Sequence, residues 1–311
     1  APAGAAPESA PLMKVGLSIS SSLDADDPAV AARWMIERAR TADEAELDSL
    51  SVGDHHAMAS PYYQNTPMLG RLLAEWGPRP AGCLFLLPLW HPVLVAEHIG
   101  TLAALVDAPF IVQTGIGYGD QQFAAMRADP RSRGNVLEES VRVIKALLAG
   151  DDVESPLVGA PVTLGLRPAR PVDWWIGGGP SPRAIDRAAR IGDAWYGSPA
   201  LDAAAAQEQL GAYVEACSRH GADSRAIIRK DAIVLADEGA AAALGTRLLE
   251  AGYRGLDRSQ VLLGTPDQVA TQLGPFADLG FDEVVCRCMS VPQPEALETI
   301  ALLGEVRRLL R

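Results

Sequence analysis

The chain has 311 residues, of which 48% are hydrophobic, and it carries a formal net charge of −12. Its length allows one large barrel or two smaller domains. Because the chain is acidic and has no run rich in lysine and arginine, phosphate backbones and anionic lipid headgroups repel it, which argues against nucleic-acid or membrane binding as its main role. No apolar run reaches the length of a membrane-spanning helix, so we expect a cytoplasmic protein.

The first 13 residues are rich in alanine and proline. They lack the positively charged start and the apolar centre of a signal peptide. We therefore expect residues 1–13 to be a disordered tail or a remnant of cloning, and residues 14–311 to form the folded domain.

Apolar, strand-favouring runs alternate with amphipathic, helix-favouring stretches along that domain. The predicted strands cover residues 14–20, 47–52, 81–87, 110–114, 173–176, 194–197, 229–235 and 281–287. The predicted helices cover residues 28–45, 67–75, 92–106, 135–148, 182–190, 203–220, 240–251, 267–279 and 294–310. This alternation predicts an α/β fold, a single-domain (β/α)8 TIM barrel with insertions at 149–172 and before the last strand. A doubly wound open sheet is the alternative.

The second predicted strand ends in the acidic-histidine triplet Asp54, His55 and His56. Active sites of parallel α/β folds form at this end of the strands. Imidazole gains and loses a proton near neutral pH, so the triplet is a candidate for acid–base chemistry. The alternative is that both histidines only satisfy backbone groups where the strand ends.

The fourth predicted strand ends in alternating glycines, Gly115, Gly117 and Gly119, followed by Asp120. Residues without a side chain let a planar ligand approach the backbone, and Asp120 is expected to face the resulting cavity. Glycine also serves tight corners in barrel strands, so this pattern alone does not establish a ligand site.

The fifth predicted strand ends in three glycines, 177–179, and Ser181 then precedes a helix. Exposed N–H groups and the positive end of the helix dipole form a candidate phosphate cradle. An ordinary turn with a serine cap is the alternative. Arg229, at the start of the seventh strand, could hold an anion or a flavin carbonyl, or could face solvent.

The cysteines lack the paired spacing of a zinc site, and they are too few for a disulfide framework in a chain of this length. We expect buried free thiols in a reducing compartment and no metal site. They are Cys83, Cys217, Cys286 and Cys288.

Five segments in the same order resemble the bacterial-luciferase-like family of flavin-dependent monooxygenases and the related deazaflavin-dependent oxidoreductases. The resemblance runs from about residue 14 to the end of the chain. The segments are LDSLSVGDHH, GCLFLLPLWHPVLVAEHIGTLAALV, FIVQTGIGYGDQQF, WWIGGGPSPRAIDRAARIGDAW and LLGTPDQVATQLGPFADLGFDEVV.

The resemblance implies a flavin across the carboxyl-terminal mouth of the barrel, either reduced FMN or the deazaflavin coenzyme F420. It implies that His55 is catalytic, with Asp54 as its orienting partner and Asp120 as a further acid. It also implies a cis peptide bond between Leu84 and Phe85. The positions implied to bind the cofactor are Cys83, Leu84, Phe85, Gly117, Tyr118, Gly178, Gly179, Ser181 and Arg229.

The sequence departs from its resemblance at three positions. Gly117 stands where luciferases have a reactive cysteine, and Tyr118 stands where they have an arginine that contacts phosphate. Because a tyrosine offers no charge, we expect another arginine to serve the phosphate. Asp231 replaces the second histidine of alkanesulfonate monooxygenases, which argues against an alkanesulfonate substrate.

The leading hypothesis is a two-component monooxygenase that receives reduced FMN from a partner flavin reductase and uses O2 to oxygenate a small organic substrate near His56, Tyr62 and Tyr63. The first alternative is hydride transfer with F420. More distant alternatives are a flavin-binding protein without turnover and a metal-dependent barrel hydrolase. The resemblance also implies a homodimer.

Overall fold

A parallel sheet of nine strands lies at the centre of the computed structural model, which describes residues 13–311. The strands are β1 (Lys14–Ile19), β2 (Leu50–Val52), β3 (Ala81–Phe85), β4 (Phe110–Thr114), β5 (Val172–Gly177), β6 (Ala194–Gly197), β7 (Ala226–Val234), β8 (Val261–Gly264) and β9 (Glu283–Cys288). The helices are α1 (Pro28–Glu44), α2 (Asn65–Leu72), α3 (Pro92–Ala103), α4 (Asp120–Ala125), α5 (Arg133–Ala149), α6 (Pro182–Ile191), α7 (Ala203–His220), α8 (Glu238–Glu250), α9 (Pro266–Asp278) and α10 (Gln293–Leu309). Short 3-10 turns cover Leu73–Glu75, Leu87–Leu89, Tyr253–Gly255 and Arg258–Gln260.

Eight of these strands close into a barrel. The strands β1 to β6 pair in chain order, β6 pairs with β7, and β9 joins β7 back to β1, all in parallel. Parallel neighbours need crossover connections, which the helices supply. The predicted single-domain (β/α)8 barrel is therefore confirmed, and the open doubly wound sheet is excluded because β6 and β7 are hydrogen-bonded.

The remaining strand, β8, lies outside the barrel closure and was not predicted from the sequence. It pairs with β7 from Asp231 to Val234, whereas β6 pairs with the earlier part of β7, from Ala226 to Ile228. Both lie on one edge of β7, because β9 occupies the other edge from Ile227 to Ala232. The strand was not recognised because it runs directly into the helix start at Thr265 and Pro266.

The other predicted elements occur near their expected bounds. The helix predicted at 67–75 begins earlier, at Asn65, and its last turn is a 3-10 turn; α4 is an additional short helix. Asp27 caps α1, because its side chain accepts from the backbone N–H of Ala29. The tail expected at residues 1–13 lies outside the described residues except for Met13, which is buried.

Side chains of alternate parity along each strand fill two separate layers of the core. A small group of large side chains fills the barrel interior and includes Ile111, Trp175, Tyr196, Ile227 and Val285. The side chains on the outer face of the strands pack against the helices in a much larger cluster. All four cysteines are buried free thiols, as predicted. Within residues 13–311, no helix is long and apolar enough to cross a membrane.

Candidate active site

A cavity of about 360 Å³ opens at the carboxyl-terminal mouth of the barrel. It lies between the ends of β3, β4, β5, β6 and β7. The predicted residues that line it are Leu84, Gly117, Tyr118, Gly178, Gly179 and Arg229. Residues from three of the five resembling segments thus meet at one place together with Arg229, although they are up to 145 positions apart.

His55 stands at this mouth between two tyrosine rings. Its ring lies edge-on to Tyr62 and Tyr118, with centroids 5.4 and 5.3 Å away. Its Nε2 atom is 3.2 Å from the hydroxyl oxygen of Tyr118. Burial lowers the pKa of His55, although the nearby Asp54 carboxylate acts in the opposite direction. The imidazole is therefore neutral at neutral pH and can accept a proton.

The Asp54 carboxylate is buried and holds other groups than His55. Its Oδ2 atom accepts from the backbone N–H of Leu86 at 2.7 Å and from Nε1 of Trp90 at 2.8 Å. Its Oδ1 atom lies 3.3 Å from Nε2 of His56. Asp54 thus fixes the turn after β3, whose Leu86 lines the cavity. The expected pairing of Asp54 with His55 is replaced by pairing with His56.

Adjacent side chains at a strand end project in different directions, which separates the two histidines. His56 turns to the helical side of the mouth, where its ring lies edge-on to Trp90 with centroids 5.1 Å apart. Its backbone N–H donates to Gln122. Tyr62 approaches His55, whereas the Tyr63 hydroxyl donates to the carbonyl of Pro28 at the start of α1.

The segment after β5 forms the opposite side of the cavity. A side chain at Gly177 would collide with the backbone carbonyl of Thr114, so the two strand ends approach as closely as glycine permits. Gly179 faces open space, with no other atom within 4 Å of an added Cβ. Ser181 precedes α6 and is exposed, and its hydroxyl makes no capping hydrogen bond.

The sequence analysis did not identify Arg187, which also lines the cavity. This arginine is only 5% exposed, and its Nε donates to Glu138 at 3.0 Å. Arg133 approaches the same wall and donates to the carbonyl of Gly117 at 3.4 Å. The expectation that another arginine replaces the one missing at Tyr118 thus has two candidates. Helical spacing gives no signal for Arg187, because a residue six positions after Ser181 faces about 120° away from it on an α-helix.

Nine of the predicted residues do not line the cavity themselves; they are Asp54, His55, His56, Tyr62, Tyr63, Cys83, Phe85, Asp120 and Ser181. The side chains of Cys83 and Phe85 are fully buried in the core beside the helices. Side chains alternate along β3, so only Leu84 of these three residues points into the barrel and lines the cavity. Asp120 is exposed at the start of α4. The bond between Leu84 and Phe85, expected to be cis, is trans, since residues 13–311 contain no cis peptide bond. Trans geometry is the favoured form of a bond that does not precede proline.

A buried ion cluster closes the far side of the mouth. Asp231 is fully buried, and arginines 229, 254 and 287 surround it. Two of these, Arg254 and Arg287, escaped the sequence analysis because the turn before β8 and the strand β9 bring them to β7 from distant parts of the chain. In residues 13–311, no group of three or more His, Cys, Asp or Glu side chains could hold a metal ion.

The family model described as luciferase-like monooxygenase matches residues 13–258. The chain belongs to this family, whose members are oxidoreductases, and the resemblance found in the sequence is confirmed. Among curated proteins, the uncharacterized protein Rv0940c of Mycobacterium tuberculosis is 27% identical over 122 residues. This match covers 32% of the chain and 42% of that protein, less than half of its length.

Several solved structures share the fold at low sequence identity. The monooxygenase RslO1 from Streptomyces bottropensis has a TM-score of 0.79 at 18% identity, covering 94% of this chain and 98% of its own. The oxygenating constituent of 3,6-diketocamphane monooxygenase from Pseudomonas putida, solved with FMN, has a TM-score of 0.78 at 15% identity over 94% and 97% of the two chains. An F420-dependent secondary alcohol dehydrogenase, solved with an F420–acetone adduct, has a TM-score of 0.76 at 16% identity over 96% and 99%. At these identities the likeness establishes the fold alone.

Proposed function

We propose that the protein is a monooxygenase that takes reduced FMN from a separate flavin reductase and uses O2 to oxygenate a small organic substrate. The observation that carries this proposal is the cavity at the barrel mouth, with His55 at its edge and a glycine-lined slot at its centre. Bound there, reduced flavin supplies the electrons that activate O2.

The residues present fit a planar ring system. Leu84 and Leu86 give the cavity an apolar floor, and Gly115 and Gly117 line it without side chains of their own, Gly115 directly beside Leu86. Gly179 leaves a space that a Cβ would fill. A flat apolar floor with a glycine wall suits the isoalloxazine ring, which requires close backbone approach on one side.

The phosphate of FMN is proposed to lie at the start of α6. Ser181 offers a hydroxyl that no capping bond occupies, and the helix N-terminus adds partial positive charge. Arg187 and Arg133 supply the nearby guanidinium groups. This assignment follows the sequence expectation for Gly178, Gly179 and Ser181.

His55 is proposed to be the catalytic residue that hydrogen-bonds to the reacting oxygen atoms or transfers a proton to them. Its neutral imidazole is exposed enough to reach the cavity and is oriented by the Tyr62 and Tyr118 rings. The apolar side chains of Leu84 and Leu86 in the lining disfavour water beside a bound flavin, which helps to protect the reaction from wasteful release of reduced oxygen. Asp54 is proposed to have a positioning role, because it holds the turn at Leu86 and the ring of His56 in place.

Hydride transfer with F420 is the alternative, since the same neutral histidine and the same slot serve that chemistry. The decisive experiment titrates the protein anaerobically with reduced FMN and, separately, with reduced F420, and then adds O2. We expect saturable FMN binding and oxygen-dependent substrate oxygenation. Tight binding of F420 without FMN binding would establish the alternative instead.

Two variants test the assigned roles. His55→Ala is expected to lower oxygenation while FMN affinity stays within about two-fold; unchanged turnover would refute the role of His55. Ser181→Ala is expected to weaken FMN but not riboflavin, which lacks the phosphate. Because the Ser181 hydroxyl makes no capping hydrogen bond, the thermal stability of the Ser181→Ala variant should equal that of wild type. Removal of a serine that does cap a helix typically costs about 1 kcal/mol.

A transient complex with the reductase and a homodimer are part of the proposal. The apolar side chains of Leu94 and Leu105, near α3, are half or more exposed and are compatible with a second copy. Sedimentation velocity of the purified protein tests the dimer directly.

A further inference from the structure

One buried carboxylate at the barrel mouth is surrounded by three guanidinium groups. The Oδ1 atom of Asp231 lies 3.1 Å from Nη2 of Arg229. Its Oδ2 atom lies 3.4 Å from Nε of Arg254, 3.6 Å from Nη1 of Arg287, and 2.9 Å from the donating hydroxyl of Tyr253. We refer to Arg229, Arg254 and Arg287 as the arginine cluster.

The arginine cluster carries more positive charge than Asp231 can balance. Burial raises the pKa of Asp231, but the three arginines outweigh that effect and hold it below its usual value, so the carboxyl is ionised. Burial and the repulsion of Arg229 and Arg287 lower the pKa of Arg254. Two surplus positive charges thus meet in a chain whose net charge is −12. Buried surplus charge is costly unless a ligand of opposite charge offsets it.

Two donors of the arginine cluster are buried without an acceptor among the described residues. These are Nε of Arg229 and Nη1 of Arg287. Buried polar groups in folded proteins are nearly always satisfied, so an unsatisfied donor indicates a missing partner. Arg229 also lines the cavity proposed for the flavin, whereas Nε of Arg287 donates to the Ser20 hydroxyl at 3.0 Å.

The third arginine of the cluster, Arg254, has a strained backbone conformation. Arg254 adopts φ 51° and ψ 16°, a left-handed conformation that is uncommon outside glycine. Such strain persists where the surrounding structure enforces it, and it concentrates at functional sites. The side chain of Arg254 remains 35% exposed, so a dissolved ligand can reach it.

We propose that the arginine cluster is a binding subsite for an oxyanion group of the substrate, such as a carboxylate or a phosphate. Guanidinium groups bind such groups through paired, charge-assisted hydrogen bonds. The subsite lies beside the flavin cavity, so an anchored substrate presents its other end to the flavin. The identification of the ligand as substrate rests on the proposed function.

The phosphate of FMN is an oxyanion too, so the arginine cluster could bind the cofactor instead of the substrate. An added anion could also bind at the start of α6 instead of at the arginine cluster. The experiment therefore titrates inorganic sulfate by calorimetry at constant ionic strength into the protein without flavin. Four variants are compared with wild type: Arg254→Gln, Arg254→Lys, Ser181→Ala and Arg247→Gln. Arg247 is an exposed arginine of α8 and is the matched control.

We expect sulfate to bind wild type and the Arg247 variant alike, and we expect the Ser181 variant to keep the binding step at the arginine cluster, because sulfate can also occupy the phosphate site proposed at α6. Arg254→Gln should weaken sulfate by about ten-fold or more, as the loss of a charged hydrogen bond implies, and Arg254→Lys should retain part of the affinity. No sulfate binding to wild type, or a loss confined to Ser181→Ala, would overturn the proposal. Thermal unfolding verifies that each variant is folded.

A second titration separates the substrate from the cofactor. Reduced FMN and reduced riboflavin are expected to bind Arg254→Gln as tightly as they bind wild type. A selective loss of FMN affinity in Arg254→Gln would assign the arginine cluster to the cofactor phosphate and overturn the substrate assignment. Failure of wild type to bind FMN at all would refute the proposed function, yet the sulfate result would remain interpretable.

Discussion

The Oδ1 atom of Asp54 lies 3.3 Å from Nε2 of His56, while His55, the histidine between them in sequence, lies edge-on to Tyr118, which lines the cavity. The same carboxylate accepts from Leu86 and Trp90. The triplet therefore divides into His55, which is proposed to be catalytic, and two residues that shape the wall behind it. This division distinguishes a positioning role for Asp54 from direct participation in catalysis.

Replacement of Asp54 by alanine is expected to reduce stability. Two buried donors, on Leu86 and Trp90, would lose their acceptor, which corresponds to about 2 to 5 kcal/mol in the free energy of unfolding. Urea denaturation measures it. Asp120→Ala, at an exposed position, is the matched control and should change stability by less than about 0.5 kcal/mol. Equal losses in the two variants would contradict the role of Asp54.

The protonation of His55 should occur below the ordinary imidazole value of about 6.5, because burial lowers its pKa. The folded state then binds the proton less tightly than the unfolded state. The contribution of His55 to stability is accordingly present above pH about 6.5 and is lost as the pH falls through the folded value. NMR titration of the ring, assigned with His55→Gln, measures the midpoint; a midpoint above 6.5 would show that burial does not dominate.

Two glycines of the turn after β5 should respond oppositely to alanine. Gly177→Ala forces a methyl group into the Thr114 carbonyl and is expected to cost about 1 to 3 kcal/mol of stability. Gly179→Ala meets no atom within 4 Å, so stability should be unchanged while FMN binds more weakly. Thermal melts and flavin titrations of both variants provide the comparison. Normal FMN binding to a stable Gly179→Ala protein would place the flavin elsewhere.

Glu283 at the amino-terminal end of the barrel should make stability depend on pH. Burial raises its pKa to about 7, while the Ser49 hydroxyl donates to it. Since the folded state holds this proton more tightly than the unfolded chain, the stabilisation is complete below about pH 4 and is lost as the pH rises through 7. Glu283→Gln should remove this dependence and be more stable than wild type above pH 8. Parallel pH profiles in urea measurements would refute it.

The sequence predicted most of the fold because the barrel depends on local periodicity. Runs such as 110–114 and 194–197 became strands with unchanged bounds. Strand β8 was missed because it runs directly into the helix start at Thr265 and Pro266. The alternation of β3 could have shown that Leu84 and its neighbours Cys83 and Phe85 face different sides, although all three were assigned to the cofactor.

The site was less predictable than the fold because its contacts join distant residues. Asp231, Arg254 and Arg287 meet only through pairings that no local pattern encodes. Adjacency in sequence suggested that Asp54 orients His55, but geometry at the end of a strand directs neighbouring side chains apart. Glycine-rich turns, in contrast, signal where backbones approach closely, and Gly117, Gly178 and Gly179 all line the cavity.

The shared edge of β7 divides the mouth into two regions that can change independently. Strand β8 follows β6 along that edge, and the turn before β8 carries Arg254 to Asp231. This turn contributes nothing to the floor or the glycine wall of the cavity, which are built by β3, β4 and β5. Exchange of residues 252–260 is therefore expected to change which substrates bind, while the part of the cavity proposed for the flavin stays intact. This loop is the segment to vary in order to redesign substrate specificity.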